Sequence, residues 1–199
     1  MKFLFGTLFT VLFVSGCSKK TDPAPTPTPT DPQVGSRWSY KETTYDESGT
    51  ATSTSTLNLT GVSLSSGGTN WISMVNTANN IPVIAIQKRS DGWWYLPSPA
   101  SNTLSSLWFK FPAAVNDTYL YVFGTCKVLS TSTSVTVPAG TFTNTYFVQG
   151  DDTNSKEDEF WFTNSGPVLV RFDTYDQRIA GPASNVYRKQ SIELISYTR

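Results

Sequence analysis

Histidine is absent from the 199 residues, and cysteine occurs only twice. The first absence removes Ser-His-Asp and Cys-His nucleophilic chemistry, histidine zinc ligation and the one side chain that titrates near neutrality without help. Carboxylate-based glycoside chemistry, a Ser-Lys pair or an oxygen-ligand calcium site would survive it. An excess of charge is lacking too: 15 Lys and Arg balance 15 Asp and Glu, so no basic field draws nucleic acid. The single dense acid cluster is Asp151, Asp152, Glu157, Asp158 and Glu159. It fails calcium-loop spacing, because the sixth position from either aspartate is Lys156 or Glu157 where a glycine must turn the chain. It reads as a solvated turn, with Asn154, Ser155 and Lys156 as a hairpin loop, so neither a metal nor a cofactor is expected. A membrane-length apolar run is also missing from the N-terminus. Residues 3 to 14 would make a helix of about 18 Å, against a hydrocarbon core of about 30 Å.

What the N-terminus has instead is a positive end at Met1 and Lys2, the apolar stretch Phe3 to Val14, and small residues leading to Cys17. That is the layout of a secretory signal. Val14-Ser15-Gly16-Cys17 resembles the lipobox of bacterial lipoproteins. The resemblance implies removal of residues 1–16, diacylation of the Cys17 thiol and acylation of the new amino terminus. Acyl chains worth about 0.8 kcal/mol per buried CH₂ would then hold the protein on a membrane. A plain secreted protein cut near Gly16 is the alternative. Residues 17–33 carry the lipidated cysteine and a Pro/Thr-rich linker, in which Pro23, Pro25, Pro27, Pro29 and Pro32 favour an extended spacer of about 45 to 50 Å. Ser18 in place of an aspartate resembles the signal for the outer membrane of Gram-negative bacteria. Lys19 and Lys20 do not resemble an acidic surface-export tract. The expected location is the cell envelope, lipid-anchored on the outer membrane and facing the periplasm.

Residues 34–199 suffice for a single domain. With Cys17 acylated, Cys126 stands alone, so no internal disulfide supports the fold, and Cys126 reads as a small buried hydrophobe rather than a reactive thiol. Period-2 runs rich in aromatic and β-branched residues recur throughout, among them "SRWSYKET", "PVIAIQKRS", "TFTNTYFVQG" and "PVLVRFDTY". They predict antiparallel strands connected as a meander. Asp91-Gly92 suits a type I′ hairpin, and Pro138 with Gly140 suits a type I turn. One stretch, "SNTLSSLWFKF", reads equally as a short helix capped by Asn102, with Leu104, Leu107, Trp108 and Phe111 on one face, or as loop plus strand. Several strands are apolar on both faces: Tyr119, Tyr121 and Phe123 alternate with Leu120 and Val122, and "WWYL" and "FWF" repeat the pattern. A helix or loop, a second sheet layer or an apolar ligand would have to cover the second face, unless the tyrosines meet water.

In the C-terminal half, "SVTVPAGTFTNTYFV" followed by "EFWFTNSGPVLVRF" resembles a pattern in uncharacterised Gram-negative bacterial lipoproteins, and "RWSY" and "FKFPAAVNDTY" match two further elements. The chain departs from it at Asn116, where a turn glycine is usual, at Ser165, and at Asn144-Thr145, which lacks a cysteine able to pair with Cys126. The resemblance implies a mainly β fold. It is a single strongly curved antiparallel sheet, a half-barrel or open barrel like those of lipoprotein-carrier proteins, with at most one or two short helices. Its concave face would hold acyl chains. The expectation is a non-enzymatic binding or structural module on the membrane, with a lipid or other hydrophobic ligand as its partner. Lining candidates are Trp93, Trp94, Tyr119, Tyr121, Phe123, Phe160 and Phe162. The alternative is a surface carbohydrate-binding module using Trp93, Trp94 and Tyr95, of which adjacent residues point to opposite faces.

Overall fold

Alternation of apolar with polar residues resolves into twelve strands and, among the described residues, no helix. The computed structural model describes residues 31–97, 105–121, 124–150, 158–178 and 186–199. The strands are β1 Arg37–Tyr45, β2 Ala51–Ser66, β3 Thr69–Asn76, β4 Pro82–Arg89, β5 Gly92–Leu96, β6 Ser106–Lys110, β7 Thr118–Tyr121, β8 Gly124–Val137, β9 Gly140–Gly150, β10 Asp158–Phe162, β11 Leu169–Gln177 and β12 Val186–Thr198. They form one antiparallel sheet in the order β6-β5-β4-β3-β2-β1-β12-β11-β10-β9-β8-β7. Each half is the expected meander, and the first and last strands join the halves. Register breaks between Ser39 and Tyr40, Trp93 and Trp94, and Trp161 and Phe162 add local twist, which helps the sheet to curl.

The curl is nearly complete. β6 and β7 face each other across a single open seam that side chains bridge: the Tyr119 hydroxyl donates to the Trp108 carbonyl (3.0 Å), and Lys110 pairs with Asp117 (2.8 Å). Closure explains the polarity of the two faces. Trp38, Tyr40, Leu59 and Leu194 point inward, while Lys41, Arg171, Asp173 and Glu193 lie outside in a network of ion pairs. A membrane-spanning barrel has the reverse arrangement, with apolar residues outside.

One end of the barrel is shut by the chain itself. Residues 31–36 fold against it, with Gly35 donating to the Gly61 carbonyl (2.8 Å) and Asp31 paired to Lys88 (2.6 Å). The Trp38 indole donates to the carbonyl of Pro167 in the β10–β11 connection (3.2 Å). Residue 31, the first described, therefore stands at this closed end.

One pair of alternatives is decided and one local expectation changes. Residues 106–110 are a strand, not a helix: pairing with β5 supplies their hydrogen bonds, and Trp108 and Phe109 are both buried by closure of the barrel; Asn102 and Leu104 lie outside the described residues. The β4–β5 turn falls on Ser90-Asp91, because Arg89 pairs with Gly92, and neither turn residue has positive φ, so the turn is not type I′. Pro138-Ala139 does form the β8–β9 turn, with Val137 paired to Gly140, and Asn116 takes φ 73° where a glycine is usual.

Candidate functional site

Inward side chains fill the barrel in two zones. Toward the closed end they make a solid plug: Phe109 stacks on Phe162 at 4.8 Å, Trp108 meets Phe162 edge-on at 5.4 Å and Tyr146 meets Phe109 edge-on at 5.0 Å. Trp38, Trp93, Val170 and Leu194 complete it. Toward the other end the packing stops short and leaves a cavity of about 220 Å³. That exceeds the roughly 150 Å³ of an engineered apolar cavity able to bind benzene, and falls below the roughly 300 Å³ at which drug-sized pockets begin.

Ten of the twelve strands contribute to the wall. Tyr40 comes from β1, Leu57 and Leu59 from β2, Met74 from β3, Val83 and Ile84 from β4, Tyr95 from β5 and Trp108 from β6. Across the seam Tyr121 comes from β7, Phe160 from β10, Leu169 and Phe172 from β11 and Ile192 from β12. Val83 is 40% exposed, which places it at the mouth. The wall is apolar apart from tyrosine hydroxyls and the Trp108 indole. Tyr40 donates to the Leu169 carbonyl (3.0 Å). The Tyr95 hydroxyl is buried without a hydrogen bond of good geometry, although those of Tyr121 and Ser106 stand close enough to influence it. Burial, more than any neighbour, pushes Tyr40, Tyr95 and Tyr121 above the ordinary phenol range, so these groups stay protonated and uncharged near neutrality.

One carboxylate stands above the wall. Glu42 is the next inward position after Tyr40, opposite Ile192 on β12 and Ser55 on β2. It accepts hydrogen bonds from Ser55 (3.3 Å) and from the Gln190 side-chain amide.

Of the residues singled out from sequence, Tyr121 and Phe160 line the cavity. Trp93, Tyr119 and Phe162 are in the core, and Trp94 points out of the barrel. Cys17 and Phe123 lie outside the described residues. Cys126 is buried in the core at 2% exposure, opposite Tyr119. Among the described residues, arginines lie over the aromatic side chains of the second apolar face. Arg89 lies over Trp94 at 4.2 Å and Trp71 at 5.3 Å, and Arg171 lies over Trp161 at 5.0 Å, which itself stacks on Phe147. Sequence reasoning missed Tyr40, Leu59, Met74, Tyr95, Phe172 and Ile192. Their period-2 placement was visible, but nothing local says that six distant strands share one interior.

Among the described residues no group of three or more metal-ligating side chains converges, and Asp158 and Glu159 of the acid cluster are part of β10. The fold implied by the C-terminal motifs is present as a more fully closed sheet. No protein-family model, no curated protein and no solved structure matches the chain.

Proposed function

We propose that this is a lipid-anchored protein of the bacterial cell envelope that holds a small apolar molecule inside its barrel without transforming it. The cavity carries the reading. A recess of about 220 Å³ leaves apolar side chains unpacked, and an apolar occupant would bury them. Side chains large enough to fill it are abundant in the plug a few ångströms away. The wall is apolar, its mouth is marked by a half-exposed valine, and it holds no paired carboxylates or other nucleophile-and-base arrangement. The signal layout and the lipobox-like Val14-Ser15-Gly16-Cys17 support the anchor. Ser18 supports the outer membrane and its periplasmic face, as in the Gram-negative lipoproteins that the chain resembles. Residues 31–36 lie at the closed end, so the mouth is at the end of the barrel away from where the proposed tether would join. A carbohydrate platform gains little support: Trp93 and Tyr95 are interior, and Trp94 carries a guanidinium on its ring.

Uptake of a fluorescent apolar dye by the purified full chain tests the cavity. Ile192→Trp, which grows into the void, is expected to weaken uptake about tenfold or more while leaving the β circular dichroism unchanged. A wild-type chain that takes up no apolar probe would sink the proposal. Cys17→Ser should release the protein from the membrane fraction, and unchanged fractionation would remove the anchor.

A further inference from the structure

We infer that the molecule held in the barrel has a cationic head, an ammonium group that sits at the mouth beside Glu42 with its apolar body among the aromatic side chains below. The inference rests on the proposed cavity-binding function and narrows its ligand class.

Glu42 projects to the inside of the barrel one inward step above Tyr40, so a molecule reaching out of the cavity along β1 passes its carboxylate. Its two hydrogen-bond donors, Ser55 and Gln190, are neutral, and they orient the carboxylate without cancelling its charge. No lysine or arginine among the described residues lines the cavity. Cations on the strands around it have carboxylate partners of their own: Lys189, next to Gln190, pairs with Asp176 at 2.8 Å. Lys41 pairs with Glu193 at 3.5 Å, and Arg171 and Arg188 lie 2.7 and 3.4 Å from Asp173, all on the outer surface. Among the described residues the cavity wall therefore holds no positive charge, and Glu42 stands above it with a negative one.

The wall suits the apolar body: Tyr95, Tyr121, Phe160 and Phe172 line it with aromatic side chains. Near the head, Tyr40 stands one inward step below Glu42 and adds an aromatic ring, which attracts cations. A carboxylate head would meet like charge from Glu42 at the mouth. The cavity also sets the size of the body. Larger than a cavity that takes benzene and smaller than a drug-sized pocket, it suits a short alkyl chain rather than a whole membrane lipid.

Calorimetric titration of the full chain with octylamine, octanol and octanoate, near pH 7 where the amine is charged and the acid ionised, separates the outcomes. Octylammonium is expected to bind about tenfold more tightly than octanol, with octanoate weakest. Glu42→Gln, which keeps the shape and the hydrogen bonds to Ser55 or Gln190, should bring octylammonium within about twofold of octanol. The wild-type preference should also shrink at about 0.5 M salt. If Glu42→Gln does not fold, the salt series on the wild type decides. Equal binding of all three probes, tighter binding of octanoate, or a preference indifferent to both salt and Glu42→Gln would overturn the cationic head while leaving the cavity reading intact. Binding of none of them would overturn the cavity reading itself.

Discussion

Gly92 is constrained by its neighbours more than by its turn. It opens β5 with φ 143°, and a Cβ built there would lie 2.0 Å from the Phe109 carbonyl oxygen and 2.8 Å from the Phe111 nitrogen. Both are backbone atoms of the adjoining chain and cannot swing aside as the end of a side chain could. Gly140 has a comparable φ of 122°, yet nothing lies within 4 Å of its missing Cβ. The pair separates steric approach from backbone preference. Gly140→Ala should cost only the conformational term, about 1 to 2 kcal/mol, whereas Gly92→Ala should cost more than about 3 kcal/mol because β6 must move. Urea midpoints at unchanged slope would show this, and equal costs at the two sites would contradict it. The sequence marked both glycines as turn residues. It could not show that Gly92 is needed for the approach of a strand that begins 14 residues later.

Among the elements, the seam is where the barrel depends least on backbone pairing. β6 and β7 are short, as edge strands commonly are, and what spans them is the Tyr119–Trp108 bond and the Lys110–Asp117 pair. Asp117 also accepts from the Ala114 amide (3.0 Å), while its carbonyl takes the Val128 amide (2.9 Å). The Lys110 hydrogen bond above all, then the Ala114 amide, hold its carboxyl below the usual carboxylate range. A carboxylate with a lowered folded pKa contributes stability that is fully present above its unfolded value of about 3.9 and is lost as pH falls through the lower folded value. Acidification below about pH 4 should therefore lower the hydrogen-exchange protection factors of the Ala114 and Val128 amides before those of the β1–β12 ladder. In Asp117→Asn protection there should already be low and nearly independent of pH. Simultaneous loss of protection in ladder and seam would argue against a locally weak seam. The same region shows why a strand was hard to read. "LSSLWFKF" has helical spacing at Leu104, Leu107 and Phe111, and period 2 is masked because Trp108 and Phe109 are both buried beside a register break in β5. Strand identity elsewhere, as in "SRWSYKET" or "PVLVRFDTY", was legible because one face of each remains polar.

At the scale of the molecule, closure through β1 and β12 decides what the alternating pattern means. Period 2 tells which residues share a face of one strand, and only the closed sheet tells which face is interior; hence Trp93 and Trp94 could not be separated until Trp93 joined the plug and Trp94 met Arg89. Closure also divides the interior between support and binding. Phe162, 1% exposed, touches aromatic neighbours on several sides, with ring centroids at 4.8, 5.4 and 5.6 Å. Met74, 3% exposed, is nearly as buried but forms part of the cavity wall, so one side of it lacks partner atoms. Burial alone predicts similar losses for truncation of either. The two-zone interior predicts otherwise: Phe162→Ala should cost about 3 to 5 kcal/mol, and Met74→Ala about 2 kcal/mol or less, because it enlarges an existing space rather than opening a new one. Met74→Ala should in return alter the affinity for an octyl chain while leaving the preference among head groups unchanged, since Glu42 is untouched. Denaturation midpoints and the same calorimetric series measure both quantities. A Met74→Ala variant as damaged as Phe162→Ala would mean that the wall is packed as tightly as the plug, and the division of the barrel into a supporting and a binding zone would fall.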